Sequence, residues 1–449
     1  MQPVEEYRAE VLATVRPLDP RQLALAAADG AVLAQNITAR APLPPFDNSA
    51  MDGYAVRSAD LAAASADSPV TLPVEGEVPA GETRPTEVKT GSCVRIMTGA
   101  LMPGGADAVV PVEQTDGGAR QVQIRHAARP GDSVRRAGGD AQAGDLLLAA
   151  GTQIGAPQLG LLAAAGHGSV LAVPRPRLTV ISTGSELAEP GEPLVPGQIW
   201  ESNSFMLAAA ARQAGCTAQR HPVVRDRKKD VLDAVQQAIE DADVLVTSGG
   251  VSMGGEHDVV KAALQQLGTI AFRKVAMQPG MPQGFGTVSF SAPADPEPSA
   301  RRGIIGRLAD RGEVAEPAVR SAGSGGSGDS GGSGGDVEQV PIFTLPGNPV
   351  SAYVSFQVFA RPALGALQAY DGLGLEKITA ELTGPVRSPA GRRSYLRGVL
   401  DRSTGRVTAL TGQGSHPVAT LGKADALVIV PEWVIQMAEG ETADVLVLP

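Results

Sequence analysis

The run DVLVTSGGVSMGGEHD at 243–258 joins a short apolar strand to a turn containing four glycines. A buried strand of this kind belongs in a parallel sheet, and the glycines let the backbone approach a phosphate and turn several amides towards it. Working outward, strands are expected at 178–182, 222–224, 270–276, 287–290 and 340–345. They alternate with helices at 204–214, 231–242 and 258–267, the spacing of a parallel α/β sheet extending from about 177 to 370.

Open parallel sheets bind ligands at the carboxyl ends of their strands. Two further turns lie at such ends. Thr183-Gly184-Ser185-Glu186 reads as a capping box opening a helix, and a plain cap explains it as well as a ligand site does. In LPGNPVS (345–351), Asn348 is placed to cap a helix over 350–360 that begins with proline, and a tight turn is the bland reading. Three such turns in one sheet point to anion binding.

Outside this region the chain opens with an amphipathic helix, since Val4, Tyr7, Val11, Leu12 and Val15 recur at helical spacing. A second helix is expected at 21–28. Short apolar runs such as 93–97 and 108–112, separated by glycine and proline, make 43–145 a β-rich module, and a helix follows from Pro157 to about Ala165. Short runs return at 395–400, 426–430 and 444–448 as a small C-terminal β domain. The tract SAGSGGSGDSGGSGG within 291–336 has too little apolar surface to fold and reads as a surface insert between neighbouring strands.

At 449 residues the chain has room for about three domains on the soft rule of roughly 150 residues each. Hydrophobic residues at 43% and charged residues at 19% exclude a disordered or fibrous class. The balance of 38 basic against 48 acidic residues, a net charge of −10, argues against nucleic acid or an acidic membrane as partner. No window approaches the ~18 apolar residues of a span, and the acidic start lacks the features of a signal peptide. Two cysteines, Cys93 and Cys216, build neither a disulfide framework nor a thiolate zinc site, so a cytoplasmic location is expected.

In the β-rich module, PPFDNSAMDGYAV (44–56) packs two carboxylates, an amide and a hydroxyl into one stretch. That density suits a metal or proton-transfer site, although on composition alone an Asx-type turn is the better reading. GDSVRRAGGD (131–140) mixes charges between glycines, as a solvated hairpin also would. His257 and His416 lie nearest to motifs, but no histidine pair has metal-ligand spacing.

Six motifs stand in one order along nearly the whole chain: PPFDNSAMDGYAV (44–56), RIMTGA (95–100), ISTGSEL (181–187), SGGVSMGGEHD (248–258), QPGMPQGFG (278–286) and LPGNPVSA (345–352). On them the chain resembles the molybdopterin molybdenumtransferases, also represented by the E domain of gephyrin and of the plant Cnx protein. The resemblance implies an α/β plus β chain, elongated and multi-subdomain, with a molybdopterin-binding-like three-layer α/β domain. Its implied divisions are an N-terminal helix (1–25) associated with the α/β domain, a linking subdomain (26–42 and 147–175), a β-rich subdomain (43–146), the α/β domain (176–370) and the C-terminal β domain (371–449).

The resemblance further implies insertion of molybdate into adenylylated molybdopterin with release of AMP, assisted by Mg2+. It implies a homodimer whose cleft combines both subunits, with a molybdopterin adenylyltransferase and downstream molybdenum-cofactor proteins as partners. Carried over by motif, Asp52, Thr98, Asp140, Glu186, Asp226 and Asp258 form the polar catalytic set, with Glu186, Asp258 and Asp52 towards the metal. Ser248, Gly249, Gly250, Ser252, Pro346, Gly347 and Asn348 would cradle substrate, and Lys274, Arg397 and Ser415 would surround molybdate. Gln278 and Met281 stand where the family often has lysines, which shifts oxyanion binding towards Lys274 and Arg397. The same fold also supports a non-catalytic, gephyrin-type scaffold, and relatives of the α/β domain alone bind or adenylylate molybdopterin.

Overall fold

The structure is a computed structural model and describes residues 1–250, 259–289 and 339–449. Ser252, Asp258 and the Gly/Ser insert at 291–336 lie outside the described residues. The chain forms two compact units, one of Met1–Leu18 with Arg175–Pro449, the other of Asp19–Pro174.

The first unit is built on a six-stranded sheet. Its strands run in the order Thr217–Arg220, Arg177–Ser182, Val244–Ser248, Gln339–Leu345, Pro282–Ser289 and Ala271–Lys274. The first four are parallel, and the last two join the sheet through antiparallel pairings. Side chains alternate across a strand, so Val244, Val246, Phe343 and Leu345 pack on one face with Leu207, Ala211 and Val350. Leu245 and Ile342 pack on the other with Val231, Val235, Ala263 and Leu264. The result is the expected three-layer α/β arrangement, with helices Asn203–Gln213 and Pro349–Ser355 on one side and Lys228–Ile239 and Val259–Leu267 on the other.

The opening helix, Val4–Thr14, buries Val4, Tyr7 and Val11 in the first of these cores, each contributing roughly 1.5–3 kcal/mol if fully buried. Tyr7 meets the edge of Phe359 at a centroid distance of 4.8 Å. The C-terminal module is a sheet in which Arg393–Asp401 pairs with both Arg406–Ala409 and Ala426–Val430. With Lys377–Leu382 and Thr442–Val447 this closes a ring of five strands around Leu382, Val407, Val428 and Val445.

The second unit holds a five-stranded sheet in the order Ala108–Pro111, Gly53–Val56, Cys93–Ile96, Val70–Val78 and Gln121–Ile124. Its core contains Tyr54, Val56, Leu72, Cys93 and Val110. Strand Ser169–Val173, which follows helix Ala156–Ala164, pairs with Arg21–Ala24 and Val32–Leu33.

Several local expectations are corrected. Residues 21–28 are not a helix: Arg21–Ala24 is a strand paired antiparallel with Ser169–Val173, followed by a 3-10 turn at Leu25–Ala27. Pairing to a neighbouring strand overrides the helix preference of an alanine-rich stretch. The strand expected at 222–224 is Thr217–Arg220, because Pro222 has no N–H to give a ladder, and Val224 keeps only a single bridge to Thr183. The stretch 131–140, for which a solvated hairpin is the bland reading, contributes strand Val134–Arg135 to Asn48–Ser49. The helix expected over 350–360 continues through a π turn at Phe356–Ala360 into Arg361–Leu367.

Candidate active site

The carboxyl ends of the parallel strands in the first unit open into a cavity of about 920 Å3. Its centre is the turn after Val244–Ser248. Gly249 has φ +103° and Gly250 φ +68°, values that L side chains rarely adopt. A Cβ on Gly249 would stand 2.6 Å from the Thr183 carbonyl oxygen, and one on Gly250 would stand 2.3 Å from Val260 Cβ. Glycine is therefore required by both conformation and space, and the bare backbone forms part of the cavity lining.

Beside this turn lies the segment after Gln339–Leu345, so that Pro346, Gly347 and Asn348 line the same cavity. Asn203 joins the two: its Nδ2 donates to Ser248 Oγ at 2.7 Å and to the Gly347 carbonyl at 2.7 Å. Asn348 occupies the expected N-cap position, but its side chain does not cap the helix. Its Nδ2 donates instead to Ser415 Oγ at 3.0 Å, which docks the C-terminal loop against the helix start.

On the other side of the central turn stand two carboxylates. Asp226 accepts from the Ser185 N–H at 3.2 Å, and the Asp226 N–H donates to Ser185 Oγ at 3.3 Å. Glu186 is exposed, and among the described residues its carboxylate makes no hydrogen bond or ion pair. The capping box expected at 183–186 is absent, because no helix follows; the Gly184 N–H goes to the Val224 carbonyl and the chain enters strand Leu187–Ala188. Thr183 Oγ1 and Asn203 Oδ1, both on lining residues, are buried with no partner among the described residues.

The cavity lining also holds a buried acid that sequence reasoning missed. Glu201, 2% exposed, accepts from Ser182 Oγ at 2.8 Å, the Ser204 N–H at 2.7 Å and Ser204 Oγ at 2.7 Å. Arg220 lies 3.5 Å from it, also pairs with Glu189 at 3.0 Å, and stacks over Phe205. A buried carboxylate requires this kind of company. Asn203 was missed too; the only sequence signal is a charged-polar run, Glu201-Ser202-Asn203, at a strand-to-helix junction.

Of the residues expected around the oxyanion, Ser415 touches Asn348, while Lys274 and Arg397 are not among the lining residues. Lys274 is paired in register with Pro282, which does line the cavity. Arg397 is 1% exposed, and Nη1 and Nη2 donate to the carbonyls of Gly414 at 2.9 Å and Gly412 at 2.7 Å. Burial lowers its pKa below the usual arginine range.

In the second unit, Asp52 Oδ1 accepts from both the N–H and the hydroxyl of Thr98 at 2.7 Å, which pulls its carboxyl below the usual range. This joins two residues of the expected set. Asp140 is exposed, its N–H bonded to the Leu43 carbonyl. Asp47 was not in that set, yet it accepts from the Ala137 N–H at 2.8 Å and from Arg136 at 2.6 Å, and both hold its carboxyl low. This ties the two acidic motifs of the unit together.

The MoeA N-terminal region (domain I and II) matches residues 2–166, a probable molybdopterin binding domain matches 179–366, and the MoeA C-terminal region (domain IV) matches 379–448. Molybdopterin molybdenumtransferase 2 of Mycobacterium tuberculosis is 40% identical over 98% of this chain and 98% of its own. The chain belongs to the molybdopterin molybdenumtransferase (MoeA) family. Molybdopterin molybdenumtransferase 1 of the same organism is 36% identical, covering 100% of this chain and 99% of its own. A solved structure of the molybdopterin biosynthesis MoeA protein from Pyrococcus horikosii has a TM-score of 0.70 at 29% identity, covering 99% and 98% of the two chains. Membership in this family makes the protein a transferase of molybdenum cofactor biosynthesis. The cavity lies within the stretch matched by the probable molybdopterin binding domain, apart from His416 and Val418. No described helix is long and apolar enough to cross a membrane.

Proposed function

We propose that this protein inserts molybdate into adenylylated molybdopterin with release of AMP, in a Mg2+-dependent reaction carried out by a cytoplasmic homodimer. The observation that carries the reading is the glycine cradle at Ser248, Gly249 and Gly347, set beside the carboxylates of Glu186 and Asp226 in one cavity. Backbone free of side chains suits phosphate oxygens, and the cavity is large enough for a nucleotide-sized ligand.

The donor set fits a hard divalent cation. Among the described residues Glu186 offers a carboxylate without protein partners, and the Asp226 carboxylate accepts only from the Ser185 N–H. The family motifs add Asp258 and Asp52 as further proposed ligands. Magnesium, when bound, supplies positive charge that offsets the phosphate and molybdate oxygens. The protein's own residues bind and orient: Ser248 presents a hydroxyl fixed by Asn203, and Thr98 holds the Asp52 carboxylate ionised.

Lys274, Arg397 and Ser415 are proposed to favour molybdate, Arg397 through the loop it holds. A molybdopterin adenylyltransferase upstream and cofactor-using proteins downstream are the partners this reaction requires. The test is AMP release from adenylylated molybdopterin with magnesium, with and without molybdate. Molybdate-dependent release supports the transferase, and tight substrate binding without turnover would favour a scaffold instead.

A further inference from the structure

The cavity in the first unit has an unbalanced lining. Among the described residues it contains three carboxylates, Glu186, Glu201 and Asp226, and no lysine or arginine. Glu201 is satisfied by Ser182, Ser204 and Arg220, but Glu186 and Asp226 face a ligand that is itself anionic. One described lining residue, His416, is able to carry positive charge.

His416 sits apart from the carboxylates by construction of the sheet. Glu186 and Asp226 follow the strands Arg177–Ser182 and Thr217–Arg220, whereas His416 is carried by the loop docked on Asn348, after Gln339–Leu345. The turn of Ser248 and Gly249 lies between them. A phosphate on that turn therefore has acids on one side and an imidazole on the other.

The loop bearing His416 is held at nearly every residue. Arg397 Nη2 and Nη1 donate to the carbonyls of Gly412 and Gly414. Gln413 Oε1 accepts from the Arg397 N–H at 2.9 Å, and Gln413 Nε2 donates to the carbonyls of Arg397 and Leu410. The Ser415 carbonyl accepts from the Val350 N–H at 3.2 Å, Ser415 Oγ accepts from Asn348, and Pro417 fixes the backbone beyond. Among the described residues the exposed imidazole of His416 makes no hydrogen bond. A loop this constrained, presenting one free donor to a cavity, is preorganised for a ligand.

We propose that His416 is a substrate-contacting residue, donating an imidazole N–H to the phosphate oxygens of the adenylylated substrate, with Arg397 as the positioning residue of its loop. The proposal rests on the transferase reading of the same cavity. An imidazole keeps an N–H whether neutral or protonated, and the contact strengthens in the protonated form.

The experiment is calorimetric titration of AMP, with magnesium, into the full-length protein and its His416→Ala and His416→Gln variants, with thermal midpoints measured alongside. Wild type should bind AMP, His416→Ala should bind about tenfold more weakly, and His416→Gln, which keeps an N–H donor, should recover most of the loss. In turnover, KM should rise in His416→Ala with kcat nearly unchanged. If His416→Ala does not fold, His416→Leu against His416→Gln gives the same comparison. Binding by the donor-free variant within twofold of wild type overturns the proposal, as does an equal loss in both variants. Absence of AMP binding by wild type overturns the transferase reading and this inference with it.

Discussion

The side-chain nitrogen of Asn203 reaches Ser248 Oγ and the Gly347 carbonyl at 2.7 Å each, so one amide fixes the distance between two turns that follow different strands. Removing it leaves both acceptors without this donor and frees the two halves of the cradle to separate. Asn203→Ala is expected to lower unfolding free energy by about 1–2 kcal/mol and to cut AMP formation more than that loss accounts for. Urea unfolding beside turnover checks this; unchanged turnover would refute it.

Glu201 is the buried acid of the cavity lining, and its deletion leaves the Ser182 and Ser204 donors unsatisfied. Arg220 retains Glu189 at 3.0 Å, so the cost falls at the lower end for a broken buried pair. Glu201→Ala should destabilise by about 3 kcal/mol. A denaturant midpoint equal to that of wild type would contradict the buried network.

Two glycines of the cradle differ in how strictly glycine is required. Gly249→Ala forces φ +103° on an L residue and drives Cβ to 2.6 Å from the Thr183 carbonyl, so it should abolish substrate binding and destabilise the unit. Gly347→Ala meets only Gly249 Cα at 3.6 Å, an ordinary contact, and should fold normally. Thermal melts of the two variants should differ in that order.

Parts of this structure are legible in the sequence for physical reasons. Val244–Ser248 reads as a strand because all five residues are buried between two helical layers, and Val4, Tyr7 and Val11 read as one helical face. Arg21–Ala24 misleads because its strand state depends on Ser169–Val173, far along the chain. Glu186 and Asn348 are found because each closely follows a strand end, whereas Asp226 comes only from the family resemblance. Asn203 is not found, since its partners lie 45 and 144 residues away. Arg397 is legible as important, but the carbonyls that occupy its guanidinium belong to a loop whose path no pattern reveals.

Burial pushes the thiols of Cys93 and Cys216 up to about 12. A folded-state value raised above the ordinary 9.0 contributes stability that is complete below pH 9 and is lost as pH rises towards 12. At pH 8 a thiol reagent should label neither cysteine until denaturant unfolds the chain. Rapid labelling of the native protein would contradict the packing described for both units.

The most direct measurement of the central claim is AMP release, together with formation of active molybdenum cofactor, by the purified protein given adenylylated molybdopterin and magnesium. With molybdate present, both products should appear, and Glu186→Ala should suppress them while leaving the fold intact. AMP release that is the same with and without molybdate, or full activity in Glu186→Ala, would contradict the assignment of this cavity as the site of transfer.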